Sequence, residues 1–476
     1  MALNPTLLSQ LEKIVGAQGV VATDEGRMVY EADMHTFYKG APDVVVLPET
    51  TGQVAELVRF CRREHVALVP RGSGTGLIGG AMAPVGGVMV SLTRMNRILE
   101  LDFASRCATV QPGLINLWLS QATREHGYYF APDPSSQMVS SIGGNASTNA
   151  GGPHCLKYGI TVNHVLGLEV VTGTGEVLTV GGKAHDHPGY DLTGALVGGE
   201  GTLGLLTAIT VRLLHVPAGV KTLLASYSAI DDASETVSAI VAAGIIPAAL
   251  EMIDETFVRA INEGVGAGYP KGAGAVLLIE LDGPAAGLDT QSERVKAVCR
   301  TNGARELRVA RDDAERATLW KCRKRAFGAI GRLAPNYCTQ DGVVPRTRVP
   351  DILRAIAAAA ERHRLRVANV FHAGDGNIHP ILLFDERDRD EVARVLAAGR
   401  EILEACVALG GSITGEHGIG VEKIGQVPLL FGPDDLRAMA RLRAVFDPEG
   451  RANPHKIFPD AKVCVETRAP RRQAAL

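Results

Sequence analysis

The first half of the chain contains short segments in which apolar and polar positions alternate with either a helical or a strand period. Helical spacing gives one apolar face to each of three segments, and Thr50 or Thr51 is placed to cap the second of them. Apolar runs beside glycine predict two short strands, and paired runs around turns predict two hairpins. In chain order, these predictions are helix 4–15, helix 51–65, strand 67–70, strand 88–92, hairpin 96–111, helix 115–127 and hairpin 167–180.

The pattern changes after residue 218, where strand-like runs begin to alternate with alanine-rich helical segments. This predicts an antiparallel, ferredoxin-like sheet with helices on one face, followed by helices at 387–409 and 433–445. The class is α+β, because the regular strand and helix alternation of a doubly wound sheet is missing. The predicted division is a helical segment at 1–40, a first domain of two α+β subdomains at 41–218, a cap domain at 219–410, a returning C-terminal segment at 411–460 and a flexible tail at 461–476.

Composition narrows the function classes. A chain of 476 residues is too long for one hydrophobic core, which agrees with several packed units. Its 49 basic and 52 acidic residues nearly balance, so the charge gives no field that would attract nucleic acid or an anionic membrane. The lack of a signal pattern and of a long apolar run predicts a cytoplasmic protein, peripheral to a membrane only through partners. Eight scattered cysteines without a CxxC pair argue against zinc ribbons and iron–sulfur clusters.

Glycine accounts for 54 residues and is concentrated in three blocks, 71–87, 143–159 and 198–204. The first block, PRGSGTGLIGGA, follows a predicted strand, where glycines let backbone N–H groups converge on an anion. It lacks the Gly-Lys-Ser/Thr of a nucleoside triphosphate loop, and its spacing fits a Rossmann loop poorly. Alone, it is equally compatible with a plain tight loop. The second block combines Ser, Thr, Asn and Gly with almost no charge, which suits a large, neutral ring system.

Together, PRGSGTG, GGNASTNAGGPHCLKYG and GGEGTLG resemble the FAD-binding domain of the vanillyl-alcohol-oxidase (PCMH-type) flavoproteins. The stretch FDPEGRANPHKIFP is similar to the end of the FAD-linked oxidase C-terminal domain of glycolate oxidase FAD subunits, D-lactate dehydrogenases and D-2-hydroxyglutarate dehydrogenases. The resemblance implies a PCMH-type FAD-binding domain and a substrate cap. Members with covalent flavin use a histidine in the first loop, and since SGTGL has none, non-covalent FAD is expected. The residues implied to contact FAD are Arg71, Gly72, Ser73, Gly74, Thr75, Gly76, Pro132, Asp133, Gly143, Gly144, Ser147, Thr148, Gly201, Gly204, Ile209 and Asn453.

Two histidines, His372 and His379, flank an acidic turn in the apolar run NVFHAGDGNIHPILLF. If Asp375 and Gly376 form a two-residue hairpin turn, His372 lies directly opposite His379 on the same face of the sheet. Such a pair is either a stacked or hydrogen-bonded couple or two ligands of one metal. Glu416, in GGSITGEHGIG, offers a third ligand for a catalytic zinc set with an open position, and its structural alternative is a helix-capping carboxylate.

The resemblance implies a role for each of these side chains. In metal-containing members the histidines of HxGDGNxH and the glutamate of GEHG are ligands, which assigns His372, His379 and Glu416, and the next histidine, His417, is the base. The metal, expected to be zinc, would polarise the hydroxyl of a 2-hydroxyacid. His417 would take the hydroxyl proton while the Cα hydrogen leaves as hydride to the flavin.

The substrate carboxylate needs a cation, and Arg323 matches the arginine of the family's WxxR segment. Lys324 and Arg325 are expected on a solvated helix face. Members that act on 2-hydroxyglutarate carry a further lysine near the position of Thr339, and this departure favours glycolate or D-lactate over D-2-hydroxyglutarate. Tyr337 is expected either to bind the substrate or to lie in the core.

The leading hypothesis is therefore an FAD- and metal-dependent 2-hydroxyacid dehydrogenase. The alternative from a different class is a zinc hydrolase in which the glycine blocks are only loops. Glycolate oxidase FAD subunits work with a second FAD-type subunit and an iron–sulfur subunit, and since this chain has no cluster cysteines, such a relay would be external. The sequence leaves open the acid, the electron acceptor, the metal and whether the chain forms a homodimer.

Overall fold

A computed structural model describes residues 4–35, 37–184, 188–265 and 269–459 of the chain. The helices are α1 Pro5–Val15, α2 Asp24–Met28, α3 Thr51–Arg63, α4 Asn116–Arg124, α5 Ile142–Thr148, α6 Cys155–Tyr158, α7 Leu192–Leu196, α8 Ile230–Ala242, α9 Glu255–Val265, α10 Leu288–Thr301, α11 Asp313–Lys324, α12 Ala326–Ile330, α13 Val349–Arg362, α14 Arg389–Ala408 and α15 Pro433–Phe446. The strands are β1 Val20–Val21, β2 Val44–Val46, β3 Leu68–Arg71, β4 Val88–Ser91, β5 Ile98–Asp102, β6 Cys107–Val110, β7 Tyr128–Tyr129, β8 Val165–Val171, β9 Val177–Gly181, β10 Leu205–Arg212, β11 Leu214–His215, β12 Gly219–Tyr227, β13 Ala249–Asp254, β14 Ala275–Gly283, β15 Glu306–Val309, β16 Asn336–Thr339, β17 Gly342–Val343, β18 Arg366–His372, β19 Asn377–Ile378 and β20 Pro380–Phe384.

The described residues of the first half form two main sheets and a small two-stranded sheet of β7 and β11. One has the order β1-β2-β4-β3, with β2, β4 and β3 parallel, and the other is antiparallel with the order β5-β6-β10-β8-β9. Both predicted hairpins are present, since β5 pairs with β6 and β8 pairs with β9. Helix α3 begins after Thr50, whose side chain accepts a hydrogen bond from the backbone N–H of Gln53, as an N-cap does.

The second half is built on an antiparallel sheet with the order β15-β12-β14-β13-β18-β19-β17, and β20 pairs with both β16 and β18. The arrangement of β12, α8, β13, β14, α10 and β15, with strand order β15-β12-β14-β13, is that of a ferredoxin-like unit. The prediction of helices on one face is wrong. Helices α8, α10, α13 and α14 cover one face and α9, α11 and α12 cover the other. Burial on both sides explains why β14 is apolar almost without interruption rather than alternating.

The C-terminal part returns to the first half of the molecule. After α14, a loop crosses to the glycine-rich segments, and after α15 the tail pairs with the first sheet through a bridge between Leu68 and Ala452. The tail predicted at 461–476 lies outside the described residues. Among the described residues, no helix combines the length and the hydropathy needed to cross a membrane. The seven described cysteines are free thiols, six of them buried.

Candidate cofactor cleft and metal centre

The glycine blocks meet around a cavity of about 410 Å³, a size typical of small-molecule sites. The walls come from β3 and the loop after it, from α5, and from the segment before β10. At one end, the cavity reaches His379, Glu416 and His417. Twelve of the residues expected to contact FAD line it: Arg71, Gly72, Ser73, Gly74, Thr75, Gly76, Gly143, Gly144, Ser147, Thr148, Gly201 and Gly204.

Close backbone packing explains the glycines of this cleft. A Cβ on Gly72 would lie 2.4 Å from the Oγ of Ser141, and a Cβ on Gly201 would lie 2.3 Å from the Cγ of Pro70. No described residue accepts a hydrogen bond from the backbone N–H groups of residues 73–75. Converging free N–H groups beside a cavity suit an anion, so this loop fits the pyrophosphate of FAD.

Four expected FAD contacts lie elsewhere. Ile209 is buried in the core beneath the second sheet. The carbonyl of Pro132 accepts a hydrogen bond from Asn116. The amide Nδ2 of Asn453 donates to the carbonyls of Gly80 and Glu200, so Asn453 ties two cleft loops together.

The fourth, Asp133, joins the two halves of the molecule through His154. The carboxylate of Asp133 lies 2.8 Å from Nδ1 of His154, and Oε1 of Glu280, on β14, lies 3.2 Å from Nε2. Burial alone lowers the pKa of His154, but the two carboxylates outweigh it and raise this pKa to about 10. Glu280 is also bound by Arg316 and Trp320. His154 is therefore a cation held between two acids from different halves.

The histidine turn differs from the predicted two-residue hairpin. Its four residues are 373–376, and the partner of His372 across the strands is Asn377, not His379. The side chain of Asp375 accepts a hydrogen bond from the N–H of Asn377, and the carbonyl of Gly376 accepts one from Val344. With these contacts, the pairing of β18 with β19 is shifted by two residues from the predicted register. Because strand faces alternate with a period of two, the shift keeps His372 and His379 on one face.

His372, His379 and Glu416 come together as a possible metal-binding group. Oε1 of Glu416 lies 3.2 Å from Nε2 of His372 and 3.3 Å from Nε2 of His379, and the two rings meet edge to face at 5.3 Å. Metal bonds of about 2.0–2.1 Å separate tetrahedral ligand atoms by roughly 3.3 Å, so the spacing fits one zinc ion. The buried Nε2 of His379 has no hydrogen-bond partner among the described residues, which also fits a ligand.

Glu416 is ionised in this setting. Burial raises its pKa, but the hydrogen bond from His372 and the nearby His379 outweigh burial and lower it to about 2. A Cβ on Gly151 would lie 3.0 Å from the side chain of Glu416, so the second glycine block packs directly against this carboxylate. Glu416 caps no helix, since it lies in the loop between α14 and the 3-10 helix Ile424–Leu429.

The loop that carries Glu416 and His417 is held by a buried carboxylate, Asp341. Its oxygens accept hydrogen bonds from the N–H groups of residues 415–417, from the hydroxyl of Thr414 and from the ammonium of Lys423. Asp341 also lies near His379 and His417 in a second possible ligand group. Its oxygens are already occupied by these donors, however, so a metal there fits poorly.

Glu200, from the third glycine block, holds the same loop from the other side. Its carboxylate accepts the N–H groups of Ile419 and Gly420. Burial is the main influence on Glu200 and raises its pKa to about 7. The irregular loop therefore finds partners for its backbone in two buried acids, as buried backbone requires.

His417 lies in the cavity wall and stacks on His379, with ring centroids 5.1 Å apart and planes at 10°. Burial and the neighbouring His379 lower the pKa of His417. Its Nδ1 has no hydrogen-bond partner among the described side chains and backbone groups. His417 therefore has one ring nitrogen that is buried and without a hydrogen-bond partner in the described part of the chain, while the residue itself lines the cavity.

Among the cations at the end of α11, Lys324 and Arg325 are exposed as predicted, and Arg323 differs from the prediction. Arg323 is only 2% exposed and forms an ion pair with Glu251, at 2.6 Å, and it is not among the residues of the cavity wall. Lys324, expected on a solvated face, lines the cavity together with Tyr337 and Thr339. The cavity thus has a lysine where an arginine was expected.

Sequence reasoning missed three acids of the site, namely Glu200, Glu251 and Asp341. Glu200 and Glu251 are flanked by glycine or apolar residues, in GGEG and ALEMID, and Asp341 precedes glycine and two valines in TQDGVV. A lone acid inside a predicted buried strand is a usable signal, because a charge at such a position needs a partner. The identity of the partner depends on contacts between distant segments, which no local pattern contains.

Two models of protein families and several known proteins match this chain. Residues 42–181 match the model of an FAD binding domain, and residues 216–457 match that of FAD linked oxidases, C-terminal domain. Glycolate oxidase subunit GlcD of Escherichia coli (strain K12) is 46% identical over 97% of this chain and 92% of its own length. The GlcD subunit of Bacillus subtilis (strain 168) is 41% identical over 94% and 96%, and a probable mitochondrial D-lactate dehydrogenase of Danio rerio is 32% identical over 95% and 91%.

Solved structures share the fold at much lower identity. p-Cresol methylhydroxylase with substrate bound has a TM-score of 0.79 and 17% identity, covering 95% of this chain and 96% of that chain. 4-Ethylphenol oxidase from Gulosibacter chungangensis, in complex with isoeugenol, has a TM-score of 0.77 and 19% identity, covering 96% and 97%. At such identities the likeness concerns the fold alone, and it confirms the predicted α+β architecture of the PCMH type.

Proposed function

We propose that this chain, which belongs to the FAD-linked oxidases and is an FAD-dependent oxidoreductase, oxidises a small 2-hydroxyacid, glycolate or D-lactate, to the 2-oxoacid. The observation that carries this proposal is the single cavity shared by the glycine loops and by His379, Glu416 and His417. The similarity to GlcD subunits and to a D-lactate dehydrogenase supports it. Family membership also removes the hydrolase alternative, which required the glycine blocks to be plain loops.

The proposed cofactors are non-covalent FAD and one divalent metal, with zinc favoured by the nitrogen and oxygen ligands. The loop at 72–76 would hold the pyrophosphate, and His372, His379 and Glu416 would hold the metal. When bound, FAD supplies a hydride acceptor and the metal a Lewis acid beside the substrate hydroxyl.

His417 is the proposed catalytic base. Its imidazole lies in the cavity wall beside the proposed ligands, within reach of a substrate hydroxyl at the metal end. A neutral imidazole there accepts the hydroxyl proton as the C–H bond is broken. Its stacking on His379 orients the ring.

Lys324, which lines the cavity, is the proposed cation for the substrate carboxylate. Arg323, the residue expected in that role, lies behind the wall, where its ion pair with Glu251 holds the end of the helix that carries Lys324. Thr339 in the same wall carries no charge, which supports a substrate with one carboxylate rather than D-2-hydroxyglutarate.

Anaerobic mixing of the FAD-loaded protein with glycolate, D-lactate, L-lactate and D-2-hydroxyglutarate tests the proposal. Glycolate or D-lactate is expected to bleach the flavin absorbance fastest. Bleaching by none of the four acids would overturn the proposal, and bleaching mainly by D-2-hydroxyglutarate would replace its substrate.

The proposed electron acceptor is external to the chain. The GlcD relatives are named as subunits, which supports a role in a larger assembly. A second FAD-type subunit and an iron–sulfur subunit are the proposed partners.

A further inference from the structure

Glu251 lies next to the candidate metal centre, but it is not one of the residues predicted as a metal ligand, as the base or as the substrate cation. It is on β13, directly opposite His372 on β18, and its side chain is fully buried. Oε1 of Glu251 lies 2.6 Å from Nδ1 of His372. The neighbouring strand thus places a carboxylate against the side of the imidazole that faces away from Glu416.

This contact decides which nitrogen of His372 is free to bind a cation. With Nδ1–H donating to Glu251, the lone pair of the neutral ring is on Nε2. Nε2 is the atom 3.2 Å from Glu416, on the side where the proposed ligands converge. The carboxylate also restricts rotation of the ring, since the hydrogen bond would break if the ring turned.

The second oxygen of Glu251 lies 2.6 Å from the guanidinium of Arg323. Arg323 in turn immediately precedes Lys324 of the cavity wall. One buried acid thereby connects a proposed metal ligand with the helix that carries the proposed cation for the substrate.

We propose that Glu251 is a positioning residue that fixes His372 for metal binding and anchors the end of α11 beside the substrate. The inference rests on the metal site of the proposed function. Carboxylates that receive the second N–H of a ligating histidine raise metal affinity, and their loss typically costs 10- to 100-fold.

The test is metal affinity, measured by chelator competition on metal-free, FAD-loaded protein. Glu251→Gln is expected to bind zinc about 10- to 100-fold more weakly than wild type, with unchanged FAD content. Glu280→Gln is the matched control, because Glu280 is also a buried, arginine-paired acid, on the adjacent strand, but contacts no proposed ligand. This control is expected to keep the wild-type zinc affinity.

A single Glu251→Gln change leaves Arg323 buried without its counter-charge, which endangers folding. A second comparison contains no unpaired guanidinium: Arg323→Met, in which Glu251 keeps its hydrogen bond with His372, against the double variant Glu251→Gln/Arg323→Met. Both remove the buried guanidinium, and the double variant alone lacks the carboxylate at His372. The double variant is expected to show the same 10- to 100-fold loss of affinity relative to Arg323→Met. In steady-state kinetics, Arg323→Met and the double variant should both show a higher KM for the acid than wild type, because the end of α11 has lost its ion pair with Glu251.

The possible outcomes separate the inference from the proposed function. Wild-type protein that binds zinc, with equal affinity in both members of the second comparison, would overturn the role of Glu251 alone. Wild-type protein that binds no divalent metal would overturn the metal-dependent function, and this inference with it. An equal loss of affinity in Glu280→Gln would mean that the effect is one of general stability, and would also overturn the inference.

Discussion

His417 and its neighbour His379 are stacked rings of the same residue type, yet the surrounding groups give them different chemistry. His379 faces the carboxylate of Glu416, while His417 has a lowered pKa and an unpartnered Nδ1 within the described part of the chain. The proposed ligand and the proposed base can therefore lie side by side, because each has its own polar neighbours. Residue type alone does not distinguish the two roles.

Replacing His417 by Gln tests this division. The variant should reduce its flavin at least about 100-fold more slowly with the best acid, because a positioned base contributes about 10²–10⁴ to such a step. FAD and metal content should stay at wild-type levels. Stopped-flow flavin reduction provides the measurement, and His363→Gln is the control, since the ring of His363 lies 3.0 Å from Glu401 and does not line the cavity. Reduction at the wild-type rate would remove His417 from the mechanism.

At the scale of elements, the turn between β18 and β19 shows how a register is fixed. Gly376 adopts φ +81°, and a Cβ there would lie 2.1 Å from the carbonyl oxygen of Val344. The Asp-Gly pair is thus required by packing against the strand region at 342–344 as well as by the turn itself. That packing lengthens the turn to four residues and sets the diagonal placement of the two histidines.

Gly376→Ala should therefore cost far more than an ordinary left-handed glycine replacement. Gly272→Ala is the matched control, since Gly272 has φ +74° with open space around it. The control should lose about 1 kcal/mol of the free energy of unfolding, from the backbone conformation alone. Gly376→Ala should lose about 3 kcal/mol or more and bind metal more weakly. Urea unfolding of both variants gives the comparison, and equal losses would show that the contact with Val344 does not matter.

Local and distant interactions account for what the sequence did and did not predict at this scale. Helices α1, α3, α14 and α15 and both early hairpins were predicted because caps, periodicity and turn residues lie within each segment. Glu416 and the histidines were found through glycine-bracketed motifs. The turn register, the double-sided covering of the second sheet and the partners of Glu251 and Asp341 depend on segments far apart in the chain, and no local pattern contains them.

At the scale of the whole molecule, helix α6 connects the flavin cleft to the second half. His154 joins Asp133 to Glu280, and Lys157 and Tyr158 both bind Asp282 on the same strand. Leu156 packs on the core of the large sheet, so the connection is apolar as well as ionic. The two halves are therefore fastened beside the cavity rather than joined only by the chain at β11 and β12.

The charge on His154 makes this fastening dependent on pH. Its folded pKa, about 10, lies above the value of about 6.5 for an unfolded histidine, so its contribution to stability is complete below about pH 6.5 and is lost as pH rises toward 10. His154→Gln should lower the free energy of unfolding by about 2 kcal/mol at pH 6, because it loses hydrogen bonds to two carboxylates. The difference from wild type should shrink at pH 9. Denaturation at both pH values measures it, with His126→Gln, an exposed histidine, as control. A difference that does not change with pH would contradict the charged state.

The loop at 414–420 is held by Glu200 from the flavin half and by Asp341 from the other half. Order in this loop therefore requires both halves in place, and so does any ligand that the loop helps to bind. For the proposed metal centre, this would link metal occupancy thermodynamically to occupancy of the flavin cleft. A cofactor that orders the loop would raise the affinity for the other, by the same factor in either order of binding, so the fully loaded and the empty protein would be favoured over either half-loaded form.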